Sequence, residues 1–110
     1  MIDESVFQDR AGEAIRDLED RVLPFAELND FEVESGGGML TFVFEDPSPA
    51  RFIISPNGPA RQIWVSALST SYKFDLDTTI DDFVLDKTRE PFVTVMSKLI
   101  SQQLGTQVQL

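Results

Sequence analysis

Cysteine and histidine are both absent from the 110 residues. Their absence excludes disulfides, thiolate zinc sites, cysteine nucleophiles, serine–histidine triads and imidazole general bases. A metal ligand in this chain must be a carboxylate, carbonyl or hydroxyl oxygen, a donor set that suits hard cations and holds a transition metal weakly and exchangeably. Long apolar runs are missing as well. None approaches the roughly 18 to 20 residues a membrane-spanning helix requires, so the expectation is a soluble protein with no membrane association. Met1 to Arg10 holds three acids and no apolar stretch, which fits neither a secretory signal nor an Arg-rich transit peptide. The expected location is the cytoplasm, unless a longer precursor was trimmed.

Positive charge is scarce. Nine Lys and Arg oppose nineteen Asp and Glu for a net charge of -10, and eleven of the acids fall in Met1 to Glu34 against Arg10, Arg16 and Arg21 alone. Such a field repels phosphate backbones and anionic lipid, and it attracts cations and basic protein patches over about 10 Å. Nucleic acid is excluded as a partner class on this ground. A chain of this length suits one compact domain over residues 1–110.

Apolar residues Phe7, Ala11, Ile15, Leu18 and Val22 recur at helical spacing and predict a first helix with one buried stripe. Pro24 lies just beyond the stripe, and its missing N–H predicts a helix end near Leu23. Phe31 to Ser35 alternates apolar and charged residues, Gly36-Gly37-Gly38 supplies a turn, and Met39 to Glu45 alternates again. This is the pattern of a β-hairpin. Turn residues at 46–49, 57–59 and 69–71 separate three further strand-like runs, Arg51 to Ser55, Arg61 to Leu68 and Tyr72 to Leu76, before a short run at Phe83 to Leu85. A second helix carries Phe92, Val95, Met96, Leu99, Ile100 and Leu104 on one face and ends at Gly105. The fold class is therefore α+β: an α-β sandwich in which two terminal helices pack on one face of a five- to six-stranded antiparallel sheet. The alternation of Val108 and Leu110 suggests a tail packed against the helices.

Asp9, Glu13, Asp17 and Asp20 fall within about 80° of one another on a helical wheel, opposite the apolar stripe. They predict a carboxylate ridge facing solvent. Asp30, Glu32 and Glu34 share the outward parity of the first strand, because Phe31 and Val33 point to the core, and they add a second acidic row. A charged face of this kind serves solubility in most proteins. Two same-sign rows on neighbouring elements repel each other unless a cation or basic partner screens them, which favours a functional reading. In the fourth strand Ile63, Val65 and Ala67 form the apolar set, leaving Trp64 beside Gln62 and Ser66 on the opposite face. Trp64 is expected to be partly exposed there, where tryptophan is a frequent interface anchor.

Three other patterns carry no chemistry. Asp75-x-Asp77 with Asp81 lacks the glycine and flanking helices of a calcium loop, since Ile80 stands at the glycine place. Gly36-Gly37-Gly38 lacks the helix start and Gly-Lys-Ser/Thr of a phosphate loop. Asp81-Asp82 has no sign of a pocket that would separate two carboxyl pKa values.

The stretch Gly58-Pro59-Ala60-Arg61-Gln62-Ile63-Trp64-Val65-Ser66 followed by Tyr72-Lys73-Phe74-Asp75-Leu76 resembles the frataxin family, with its Pro-x-x-Gln-Ile/Val-Trp core. The likeness extends to Phe7 opening an acidic helix, Glu19-Asp20-Arg21, the Gly-Gly-Gly-Met-Leu-Thr hairpin, Phe83-Val84-Leu85-Asp86 and the closing Ser101-Gln102-Gln103-Leu104-Gly105. It resembles the bacterial branch. The resemblance implies a frataxin-like α-β sandwich that is not an enzyme and serves iron–sulfur cluster assembly. It implies weak, exchangeable binding of ferrous and ferric iron along the acidic ridge, for which the candidate residues are Glu13, Asp17, Glu19, Asp20, Asp30, Glu32 and Glu34. It also implies docking on the cysteine desulfurase and on the iron–sulfur scaffold protein, with Glu19, Asp20, Gln62 and Trp64 as the partner-binding set. The expected state is a monomer, with iron-dependent oligomers an open alternative. A carboxylate-based ferroxidase and a metal-independent acidic adaptor are the competing functions. Leu23 and Pro24 stand where bacterial relatives carry acids, Ser55 replaces a frequent asparagine, and Lys73 replaces a histidine of some relatives. These departures imply a reduced iron capacity.

Overall fold

The computed structural model describes residues 2–110. Its elements run α1 (Glu4–Asn29), β1 (Glu32–Gly36), β2 (Met39–Phe44), β3 (Ala50–Asn57), β4 (Gln62–Ala67), β5 (Thr70–Asp77), β6 (Asp82–Leu85) and α2 (Phe92–Leu104). The six strands form one antiparallel sheet in which strand order is chain order. Leu40, Phe42, Phe44, Phe52, Ile54, Ile63, Val65 and Phe74 alternate along these strands and join Phe7, Leu18, Val22, Phe92, Met96 and Ile100 of the helices in one core. Both helices therefore lie on the same face, and alternate strand positions are left on an open face.

Asp3 caps α1 by accepting the Ser5 N–H at 2.9 Å, and the expected stripe from Phe7 to Val22 is buried. The expected end near Leu23 is corrected. The helix continues through Pro24 to Asn29, and Asp30 closes it in the left-handed conformation at φ 57°. The physical reason is that Ala26, four residues past Val22, keeps the stripe buried on the sheet. Pro24 leaves the Asp20 carbonyl without its helical donor, but both residues are exposed, so the carbonyl is open to solvent.

Two hairpins set the register. Gly37 and Gly38 join β1 to β2 with φ 61° and 81°, the two positive values of a type I′ turn. The β4–β5 turn has the same form but is made of Leu68 and Ser69, at φ 51° and 61°. Side chains are strained in that region. Leu68 packs on the core, whereas Ser69 is exposed. Ser69→Gly is expected to raise stability by about 0.5–1 kcal/mol, read as a higher urea midpoint at unchanged slope.

The tail after α2 packs as its alternation suggested. Val108 is buried and Leu110 half-buried. Ser101 Oγ accepts the Val108 N–H at 2.8 Å, and Ser97 Oγ accepts the Leu110 N–H at 3.1 Å. Arg21 of α1 donates to the Leu110 carbonyl at 3.2 Å, so the tail ties both helices together. Around the β6–α2 connection, Asp77 pairs with Arg89 and Glu90 with Lys98. The Thr79 N–H holds the Asp77 carboxyl below its ordinary pKa, assisted by Arg89 and opposed by desolvation; Lys98 and then Thr88 do the same for Glu90. Each pair joins an exposed cation to a half-buried carboxylate at the surface, where ion pairs order a connection more than they stabilise a fold.

Candidate functional site

On α1, Asp9, Glu13, Asp17 and Asp20 are all exposed, on the side away from the buried stripe. Continuation of the helix past Pro24 adds Glu27, also exposed, which returns to the Asp9 and Asp20 azimuth at 100° per residue. The sequence alone does not place Glu27 on the helix, because Pro24 predicts an end before it. From Asp9 to Glu27 the ridge spans about 27 Å of helix. The arginines do more than flank it: Arg10 lies 3.4 Å from Glu13 and also pairs with Asp81, and Arg21 lies 2.8 Å from Asp17. Among the described residues no Lys or Arg pairs with Asp9, Asp20 or Glu27, so these three have no counter-charge within ion-pair distance.

Glu19 stands about 100° from Asp20 around the helix. It is half-buried and lines a shallow concavity with Arg16, Ser35, Gly36 and Met39 at the β1–β2 turn. Glu32 and Glu34 are exposed on the edge strand. Their register partners Val43 and Thr41 alternate with Phe42 and Leu40 of the core, so the two glutamates project from the open face. Asp30 belongs to the helix cap and not to that row. The two acidic rows are thus presented by opposite layers of the molecule, and Glu19 and Asp30 lie where they approach each other around the β1 edge. Among the described residues no three carboxylates converge closely enough to enclose a metal ion.

On the open face Trp64 is 38% exposed, as its parity in the fourth strand required. Its indole Nε1–H donates to Gln62 Oε1 at 2.9 Å, and Gln62 Nε2 donates to Asp75 Oδ1 at 2.9 Å. Lys73 Nζ lies 5.1 Å from the indole centroid, within reach of a cation–π attraction. Ile53, Ser55, Ser66, Ser71 and Tyr72 complete a concave surface beside the indole. The expected set contained Gln62 and Trp64 but not Asp75 or the packing of Lys73. Both follow from register: Gln62 pairs with Asp75 and Trp64 with Lys73.

The frataxin-like domain family matches residues 1–106. The chain belongs to the frataxin family. It is 31% identical over 106 residues to the iron-sulfur cluster assembly protein CyaY of Pseudomonas fluorescens (strain Pf0-1), covering 96% of this chain and 93% of that one. It is 35% identical over 80 residues to the CyaY protein of Pseudomonas paraeruginosa (strain DSM 24068 / PA7), covering 73% and 72% respectively. The fold is that of the frataxin from Psychromonas ingrahamii, studied for stability modulation within the CyaY protein family, with a TM-score of 0.80 at 23% identity over 98% of this chain and 97% of the other. In this frataxin-like chain the Pro59 to Trp64 signature forms the β3–β4 turn and the start of β4. Ser55 sits directly across from Trp64. Among the described residues no helix is long and apolar enough to cross a membrane.

Proposed function

We propose that this protein serves iron–sulfur cluster assembly in the cytoplasm as a non-enzymatic binding module: it carries iron weakly along its acidic surface and docks on the cysteine desulfurase and its scaffold protein. The observation that carries this reading is the likeness, over nearly the whole chain, to a relative named as an iron-sulfur cluster assembly protein. The geometry supports it in two places. Carboxylate oxygens strung along α1 and β1, and not gathered around one point, suit iron as an exchangeable cargo shared among Glu13, Asp17, Glu19, Asp20, Asp30, Glu32 and Glu34. Glu13 and Asp17 are partly neutralised by arginine, so the unpaired acids are the stronger iron donors. An exposed tryptophan hydrogen-bonded to its neighbour on a sheet face is the form of a protein-docking anchor.

The mechanism is electrostatic encounter followed by burial of the indole. The acidic field steers a basic partner surface, which makes association fast and salt-sensitive, and Trp64 then supplies contact area that slows dissociation. The test is calorimetric titration into the purified cysteine desulfurase at low and high salt, with and without ferrous iron. Trp64→Ala is expected to weaken binding about tenfold while leaving the unfolding temperature nearly unchanged, because the side chain lies outside the core. Glu19→Lys with Asp20→Lys is expected to weaken both iron and desulfurase binding and to flatten the salt dependence. Full retention of both affinities in the double variant would move the site off the ridge.

A further inference from the structure

Trp64 is the sole tryptophan of the chain, and its indole is the end of a hydrogen-bonded relay that begins at Asp75. The relay has only one polarity. An indole N–H can only donate and an ionised carboxylate can only accept. The Gln62 amide between them must therefore show its oxygen to Trp64 and its nitrogen to Asp75. The register places Gln62 opposite Asp75 and Trp64 opposite Lys73, so all four side chains project from the open face in two adjacent rows. Asp75 is half-buried, makes no salt bridge among the described residues, and lies outside the core cluster. Its side chain has no evident structural task other than this relay.

We propose that Asp75 is a positioning residue for Trp64, acting through Gln62, and that the unit presents the indole to a protein partner as an apolar and π surface with its N–H already engaged. The proposal rests on the reading that the open face docks a partner. A free tryptophan and a free glutamine on a strand would each sample several rotamers and lose that freedom on binding. The relay fixes both before encounter. It also decides the chemistry of the complementary group. With the N–H committed to Gln62, the partner gains nothing from offering a hydrogen-bond acceptor there, and the indole selects an apolar, aromatic or guanidinium-bearing side chain.

Because the protein has one tryptophan, its fluorescence reports this residue alone. Time-resolved anisotropy of the full chain, with titration into purified cysteine desulfurase, tests the proposal on Asp75→Ala, Asp75→Asn, Gln62→Ala and Trp64→Ala. Asp75→Ala is expected to enlarge the nanosecond depolarisation of the indole and to weaken desulfurase binding about fivefold, with the unfolding midpoint unchanged. Asp75→Asn keeps an Oδ1 acceptor for Gln62 and is expected to restore both readouts to within twofold of the parent. Adding Asp75→Ala to Gln62→Ala should change nothing further, since the relay is already cut. Unchanged depolarisation in Asp75→Ala overturns the proposal. So does a mobile indole that binds as tightly as the parent when Trp64→Ala does not. Normal binding by Trp64→Ala overturns the docking reading and this proposal with it, while the anisotropy still reports whether Asp75 holds the ring.

Discussion

Removing residues 106–110 is expected to lower stability by about 3–5 kcal/mol, close to half of what a domain of this size commonly has. The tail covers the groove between the helices with Val108, which is 5% exposed, and with the half-buried Leu110. Burial of two such side chains contributes about 2–4 kcal/mol, and each of the two serine-accepted amide bonds contributes about 0.5–1.5 kcal/mol. Ser97 and Ser101 are spaced four apart on α2 and each also donates to a carbonyl one turn back, Val93 at 2.9 Å and Ser97 at 2.7 Å. The hydroxyls are thereby oriented to receive the tail. The loss is expected as a fall in melting temperature of at least about 12 °C, with the proposed desulfurase binding retained well below the transition, since Glu19, Asp20, Gln62 and Trp64 make no hydrogen bond to the tail. A melting temperature within about 3 °C of the parent would show that the helices close over the core without it.

Pro24→Ala is expected to act in the opposite direction, stabilising the protein by about 2 kcal/mol. A proline inside a helix costs roughly 3 kcal/mol through the lost N–H and the clash with the preceding turn. The greater freedom of alanine in the unfolded chain takes back about 0.4–1 kcal/mol of the gain. Position 24 is exposed, so no packing is disturbed and the Asp20 carbonyl regains a donor. The melting temperature should rise by about 8–16 °C. A fall would mean that Pro24 makes a contact worth more than the helix bond it removes.

Much of the architecture was legible because it rests on periodicity. The stripe from Phe7 to Val22, the alternation around Gly37-Gly38 and the stop at Gly105 are local patterns with local causes. Pro24 misled because the rule against proline in helices is also local, whereas the helix is carried across it by burial of Ala26 against a sheet formed later in the chain. The exposure of the α1 carboxylates was legible from the helical wheel, apart from Glu27, which fell with the misplaced helix end. The relay was not legible. A type I′ turn made of Leu68 and Ser69, with no glycine or asparagine, left Ser69 to Ser71 as the apparent punctuation, and that displaced turn puts Asp75 and Lys73 opposite the wrong partners. The Arg10–Asp81 pair joins residues far apart in sequence and has no local signal at all.

The coincidence of strand order with chain order bears on how the protein is made. Each new strand leaving the ribosome pairs with the one just before it, so the sheet grows without waiting for distant segments. The first helix is already available, and its contacts with β1 to β4 let it shield Phe42, Phe44 and Phe52 as they appear. Phe74 has to wait for Phe92, its ring partner at 5.0 Å. At about 5–20 residues per second of synthesis, the stretch from the end of β6 at Leu85 to the end of α2 at Leu104 leaves that end of the sheet bare for about one to four seconds, an interval in which the nascent chain is open to chaperones and to its neighbours.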